Sequence, residues 1–192
     1  MATIEIIYFS GYGHTAKQAE AVLEGAQRAG DARLWAIPED GVISDEAWAA
    51  LDAADAIVFG GPTYMGGAPW QFKRFADESS KRWFTRDWAD KISGGFTNSA
   101  SAVGDKGETL NYFRVLAGQH GMIWVSLNQA PANTLANGPQ DRNWAGGSAG
   151  AMAISPADAP AEEAPRAGDL ESARDYGERL ARFAQARQRL AA

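Results

Sequence analysis

Short apolar runs rich in β-branched and aromatic residues alternate along this chain with segments whose apolar residues recur every three or four positions. That alternation restricts the fold more than any other feature. Ile4, Ile6, Ile7, Tyr8 and Phe9 form the first run, Arg33–Ile37 the second and Ala56-Ile57-Val58-Phe59-Gly60 the third, with Lys91–Thr97 and Met122–Leu127 after them. Runs of this length and composition read as buried strands. Ala16, Ala19, Val22, Leu23 and Ala26 predict a helix over about 15–29, with Thr15 and Gln18 spaced as a capping box and Gly30 as its stop. Ser44, followed by Asp45 and Glu46, opens a second helix through Ala54. Pro69 precedes a third, with Phe72, Phe75 and Ala76 as its buried stripe. Leu110, Phe113, Leu116 and Ala117 mark a fourth over about 108–119. The stretch 154–168, rich in Ala, Pro, Asp and Glu, reads as a surface loop. A closing helix from Asp169 should bury Leu170, Ala173, Leu180 and Phe183.

Strands alternating with helices predict an α/β fold, a five-stranded parallel sheet covered by helices on both faces as a three-layer sandwich. At 192 residues the chain reads as a single domain spanning 1–192. The absence of cysteine excludes disulfides, thiolate metal sites, iron–sulfur clusters and thiol nucleophiles together. Two histidines are too few for a histidine-rich metal site, and a net charge of −6 disfavours nucleic acid. No apolar run reaches the ~18 residues of a membrane span, and a strand begins at once without a signal-like leader, so the expectation is a cytoplasmic protein.

For a sheet of this kind the expected strand order is the flavodoxin-like 2-1-3-4-5, which places ligands outside the carboxyl ends of the strands. The loops to inspect are then 10–15, 61–69, 97–106 and 128–150. The first of them, Ser10-Gly11-Tyr12-Gly13-His14-Thr15, joins a strand to a helix and aims free backbone N–H groups and a helix N-terminus at one place. No lysine precedes Thr15, as a nucleoside-triphosphate loop would require, and the loop has two glycines where a dinucleotide fingerprint has three. A neutral cradle of amides and hydroxyls suits a phosphomonoester; the alternative is a tight strand–helix turn.

The other loops are small and uncharged. Pro62-Thr63-Tyr64-Met65-Gly66 carries hydroxyl, aromatic and thioether groups, Asn98-Ser99-Ala100-Ser101-Ala102-Val103 offers backbone amides, and 146–150 is Gly-Gly-Ser-Ala-Gly. Together they describe a flat slot, with amides for the edge of a heterocycle and Tyr64, Met65 and Trp83 for its faces. A phosphate cradle beside a planar slot fits flavin mononucleotide, FMN.

Four motifs then carry a resemblance: Ser10-Gly11-Tyr12-Gly13-His14, Pro62-Thr63-Tyr64-Met65-Gly66, Thr97-Asn98-Ser99-Ala100-Ser101 and His120-Gly121-Met122. The sequence resembles the tryptophan-repressor-binding-protein type of NAD(P)H:quinone oxidoreductases, which are flavodoxin-like FMN enzymes. The likeness runs from the N-terminus to about Gly150 and resumes in the final helix. It implies that Ser10 to Thr15 bind the FMN phosphate and that Tyr12 also meets the nicotinamide cofactor. Thr63, Tyr64 and Met65 would lie against the isoalloxazine ring, Asn98 to Val103 would hold its polar edge, and Trp83 would stand at the substrate side. The family's flavin-contacting histidine falls on Gln119, and Tyr64-Met65 stand where many members have Arg-Phe. His120 is expected at a helix end, its imidazole partly positive against the dipole.

What the resemblance implies functionally is ping-pong transfer of two electrons from NAD(P)H to a quinone through FMN, in a homodimer or homotetramer. No protein base is needed, because the cofactor carries the chemistry. The rival reading is an electron-carrier flavodoxin, which docks its redox partners through an acidic rim; loops 61–70 and 97–104 contain no acid.

Overall fold

The computed structural model describes residues 1–191. The elements run β1 (Thr3–Tyr8), α1 (His14–Gln27), β2 (Asp31–Ala36), α2 (Asp45–Ala53), β3 (Ala56–Pro62), α3 (Trp70–Glu78) and α4 (Ser80–Thr85). After them come β4 (Ile92–Ser99), α5 (Lys106–Gln119), β5 (Ile123–Trp124), β6 (Ala151–Ile154) and α6 (Ala167–Ala191). All strand pairings in the sheet are parallel, and the order is β2-β1-β3-β4-β5, with β6 also on β4.

Period-two alternation divides each central strand between two cores. Ile4, Ile6, Ala56 and Val58 face α1 and α6, whereas Ile7, Ile57 and Phe59 face α2, α3 and α5. The uninterrupted apolar run of β3, buried throughout, is what a strand covered on both faces requires. On the first face α1 and α6 meet along Gly25 and Gly177, where a β-carbon on either glycine would strike the other helix's backbone. On the second face Phe72 and Phe113 pack with ring centroids 4.4 Å apart.

The fifth sheet position departs from expectation. Met122–Leu127 reads as one strand, but β5 is only Ile123–Trp124, paired with Ile92 and Ser93. The backbone turns away at Asn128, whose φ is 56°. The chain returns as β6, pairing Phe96–Ser99 in the upper half of the same position. The sheet therefore has six strands rather than five. The intervening 128–150 lies along α6, clamped by Asn143, whose N–H donates to Ser172 Oγ at 2.7 Å, and by Arg142, which pairs with Asp175 and Glu171. Gly150 packs on the Gly95 carbonyl in mid-strand, so 146–150 does not reach the strand ends where the slot was expected.

Smaller corrections have equally local causes. The Thr15–Gln18 capping box does not form: α1 begins at His14, Ser10 Oγ accepts from Ala16 N at 3.1 Å, and the buried Gln18 donates to Ala151 O of β6. Gly30 does not stop α1, which ends at Gln27; it is small because Ile4 and the Ala2 carbonyl press on it. Ser44 does cap α2, accepting from Ala47 N at 3.2 Å. In α6, Ala173 and Leu180 are buried and Leu170 is half-buried, but Phe183 is exposed with Arg179 over its ring.

Candidate functional site

The carboxyl ends of β1, β3, β4 and β6 converge because the register sets Tyr8 beside Gly60, Pro62 beside Asn98, and Asn98 and Ser99 beside Ala153 and Ile154. A cleft of about 570 Å³ opens there, lined by Tyr12, His14 and Thr15, by Pro62, Thr63 and Tyr64, and by Asn98, Ser99 and Ala100. Ser155, Ala157 and Ala159 complete it. None of these side chains is an Asp, Glu, Lys or Arg.

The phosphate-type loop is pre-formed. Among the described residues, the N–H groups of Gly11, Tyr12, Gly13, His14 and Thr15 donate to no protein acceptor, while Lys17 N donates to Gly13 O to start α1. Gly13 adopts φ 89°, a left-handed conformation that turns consecutive amides the same way. Ser10 Oγ accepts from Ala16 N, so its own proton stays available to a second acceptor. Thr15 lines the cleft and its hydroxyl has no partner among the described residues. This donor set, wholly neutral and at a helix N-terminus, fits a phosphomonoester.

The second loop is braced from below. Thr63 N donates to Asn98 O at 2.8 Å, and Thr63 Oγ1 lies 2.9 Å from Thr97 Oγ1 and 2.8 Å from Thr109 Oγ1, a buried hydroxyl chain. Tyr64 and Gly67 exchange backbone hydrogen bonds around a tight turn through Met65, at φ 46°, and Gly66. Tyr64 stands over Gly11, where a β-carbon would collide with its hydroxyl, and meets Tyr12 edge-to-face at 6.3 Å. These two rings are the aromatic walls of the cleft. Met65, expected to face the ring with Tyr64, points wholly into solvent.

In the third loop Asn98 is buried, its Oδ1 accepting from Ser155 Oγ at 3.0 Å, while Ser99, Ala100, Ser101, Ala102 and Val103 rise to the surface. The N–H groups of Ala100, Ser101, Ala102 and Val103 have no protein acceptor among the described residues. Of this loop, Asn98, Ser99 and Ala100 line the cleft; Ser101, Ala102 and Val103 continue the loop, exposed, without lining the wall. Ser10, Gly11 and Gly13 shape the first loop, and Gly66 the second, without lining the wall.

The remaining wall comes from 155–159, within the stretch read as a mere surface loop. His14 ties it down, with Nε2 2.8 Å from Ala159 O, and Ser155 N donates to Ser99 O. Sequence reasoning missed Ser155, Ala157 and Ala159 because their contribution is backbone and shape. The short apolar run Ala151–Ile154 ended by Ser-Pro was the available signal.

Trp83 and Gln119 lie elsewhere. They line a separate depression with Ser79, Ser80 and His120, beside the amino end of β4, where Asp90 N donates to Gly121 O. Eight residues of β4, roughly 23 Å of strand, separate it from the cleft. His120 is not the partly charged dipole partner expected. It is 3% exposed, packed against Trp88 with the rings tilted 37° and their centroids 4.5 Å apart, and with Nε2 2.9 Å from Ser79 Oγ. Ser79 gives its own proton to Ala76 O, so His120 donates from Nε2 and buries an Nδ1 without a partner. That burial, with Arg86 nearby, pushes its pKa down to about 4.

Among the described residues, no cluster of His, Asp and Glu could hold a metal ion, and no helix is long and apolar enough to cross a membrane. A family profile described as "Flavodoxin-like fold" matches residues 3–142. The chain is 52% identical over 185 residues to Flavodoxin FldP of Pseudomonas aeruginosa strain UCBPP-PA14, covering 96% of this chain and 98% of that protein. It is 31% identical over 199 residues to an NAD(P)H dehydrogenase (quinone) of Geotalea uraniireducens strain Rf4, covering 93% and 96%. A crystal structure of a flavodoxin, WrbA-like protein from Agrobacterium tumefaciens superposes with a TM-score of 0.79 at 49% identity, over 97% of this chain and 99% of that one.

Proposed function

The chain belongs to the flavodoxin-like fold family, and from that premise we propose that it is an FMN-dependent oxidoreductase passing two electrons from NAD(P)H to a quinone-type acceptor. The observation that carries this reading is the cleft's lack of any charged lining side chain. Bound FMN would supply the hydride and two-electron chemistry. The residues have the tasks of binding, orienting and excluding water.

Ser10 to Thr15 hold the phosphate through the free amides and two hydroxyls, so the charge is met by directional hydrogen bonds rather than by a cation. Pro62, Thr63 and Tyr64 and the loop from Asn98 to Val103 would flank the ring, with the free amides of Ala100 to Val103 available to its polar edge, while Met65 and Gly66 shape the turn without facing it. Tyr12 and Tyr64 supply apolar faces for the ring and for a planar second substrate. The strap at 155–159, held by His14, closes the cleft's remaining side. Trp83 and Gln119 stand at the far end of this chain's own sheet, so a role beside a flavin would require them to reach a neighbouring copy's cleft. That makes a homodimer or homotetramer part of the proposal for those two residues alone. The likeness to an NAD(P)H dehydrogenase (quinone) supports the donor and acceptor.

Mixing FMN-loaded protein anaerobically with NADH or NADPH in a stopped-flow instrument tests this. Bleaching of the flavin absorbance within seconds, reversal by benzoquinone and parallel-line steady-state kinetics are expected. The 52% identity to a protein named as a flavodoxin favours a second reading, an electron carrier. A flavin that stays oxidised under NAD(P)H, but is reduced by a separate reductase protein, would select it.

A further inference from the structure

A lysine lies buried directly behind the loop that rims the cleft. Lys106, the first residue of α5, is 1% exposed. Its Nζ donates to Ser99 Oγ at 2.9 Å and to the carbonyls of Ser101 and Ala102, both at 2.8 Å. An ammonium has three protons and no acceptor capacity, so this arrangement satisfies its charged form completely. Ser99, Ser101 and Ala102 belong to the loop whose outward amides, from Ala100 to Val103, have no protein partner. A cation drawing on the carbonyls from behind polarises the same peptide units and strengthens their N–H groups as donors. Nothing about the sequence Gly104-Asp105-Lys106-Gly107 distinguishes this lysine from a solvated one; burial does.

The opposing charge is Asp169, in the first turn of α6 and 2% exposed. Its Oδ2 accepts from Ile154 N at 2.9 Å, and its Oδ1 is buried without a partner. Burial draws the Lys106 pKa down, and Asp169 holds it up. Among the described residues no ion pair joins the two, so the ammonium's direct partners are the three oxygens of the rim loop.

We propose that Lys106 is a positioning residue that holds the Ala100–Val103 amides toward the polar edge of a bound flavin and biases the site toward the reduced cofactor, whose ring carries the extra negative charge. This rests on the FMN reading above. The bias is a ratio: whatever favours the reduced ring over the oxidised one raises the midpoint potential by the same free energy.

The test compares wild type, Lys106→Gln, Lys106→Arg and Asp169→Asn at pH 8. Oxidised-FMN affinity comes from fluorescence titration of apo-protein, and the reduced-to-oxidised affinity ratio from the two-electron midpoint potential. Lys106→Gln should weaken binding of reduced FMN at least tenfold more than oxidised FMN, lowering the potential by about 30 mV or more. Lys106→Arg should stay within threefold of wild type, and Asp169→Asn should shift the ratio the other way. Equal loss of both redox forms in Lys106→Gln would mean that the lysine only shapes the loop, and the proposal fails. Should Lys106→Gln not fold, an unmoved potential in Asp169→Asn overturns it equally. A wild type that binds no FMN would defeat the cofactor reading itself, a result distinct from either.

Discussion

Thr15→Ala and Ser10→Ala probe the phosphate loop in different ways, because the two hydroxyls are not equally occupied. Ser10 Oγ already accepts from Ala16 N and so caps α1, whereas the Thr15 hydroxyl has no partner among the described residues. Each should donate one hydrogen bond to a doubly charged phosphate, at about 1.5–3 kcal/mol apiece, or roughly tenfold to 150-fold in Kd. The double variant should therefore lose roughly 10²–10⁴-fold while retaining some binding, since the five amides from Gly11 to Thr15 remain. The two single variants should part company in the apo-protein. Ser10→Ala removes a cap and should lower stability by about 1 kcal/mol; Thr15→Ala should not. Fluorescence titration of apo-protein with FMN and with riboflavin, alongside denaturant melts, reads both effects. Riboflavin has no phosphate, so its affinity should be the same in wild type and variants. A Thr15→Ala protein within threefold of wild type for FMN, or equal losses for FMN and riboflavin, would refute the placement of the phosphate.

Other expectations concern stability and assembly. The folded pKa of His120, about 4, lies below its ordinary 6.5, so the unfolded chain binds more protons between those values and stability should fall by up to about 3 kcal/mol as pH drops from 6.5 to 4. In His120→Phe that fall should be absent by urea unfolding, and a fall of equal size would contradict it. Burial raises Asp169 to about 6, the opposite sense, so its contribution is present below pH 3.8 and lost as pH rises through 6. Asp169→Asn should accordingly be more stable than wild type at pH 8, by at most about 3 kcal/mol, and less advantaged at pH 4. Gly177→Val would drive a side chain into the Val22 carbonyl and should separate α1 from α6, with a loss above about 3 kcal/mol in chemical denaturation; a melt like wild type's would disprove the crossing. Light scattering after gel filtration should give a dimer or tetramer if Trp83 and Gln119 serve a flavin, and a monomer removes them from the site.

The sheet was legible because its signals are local: Ile57-Val58-Phe59 declares a strand buried on both faces wherever it sits in the chain. The order β2-β1-β3-β4 and both helical layers follow from the alternation and the handedness of parallel crossovers. The phosphate-type loop was legible for the same reason, since a strand, two glycines, a hydroxyl at each end and a helix start are contiguous. What could not be read depends on distant partners. His14 meets Ala159 across 145 positions, and Gln18 spends its amide on Ala151 rather than on its own helix start. Neither bond leaves a trace in spacing. Ala151–Ile154 is too short and alanine-rich to announce a strand, although it supplies half of the fifth sheet position.

Four departures from ordinary sequence rules lie at the cleft end of the sheet. Lysine belongs on the surface, yet Lys106 is buried; aspartate should have both oxygens met, yet Asp169 leaves one bare. Met65 and Asp105 take left-handed backbone usually left to glycine, at φ 46° and 53°. These four flank the second and third loops of the cleft or support them from behind. Burying an ammonium and a carboxylate costs the desolvation of each, and a core selected only for stability would hold well-packed apolar residues in their place. Their presence under a cleft otherwise free of charge places the site's electrostatics behind the loops. The lining keeps to neutral donors and aromatic faces, open to uncharged planar molecules, while a fixed cation acts on the rim amides from a position no solvent or substrate reaches.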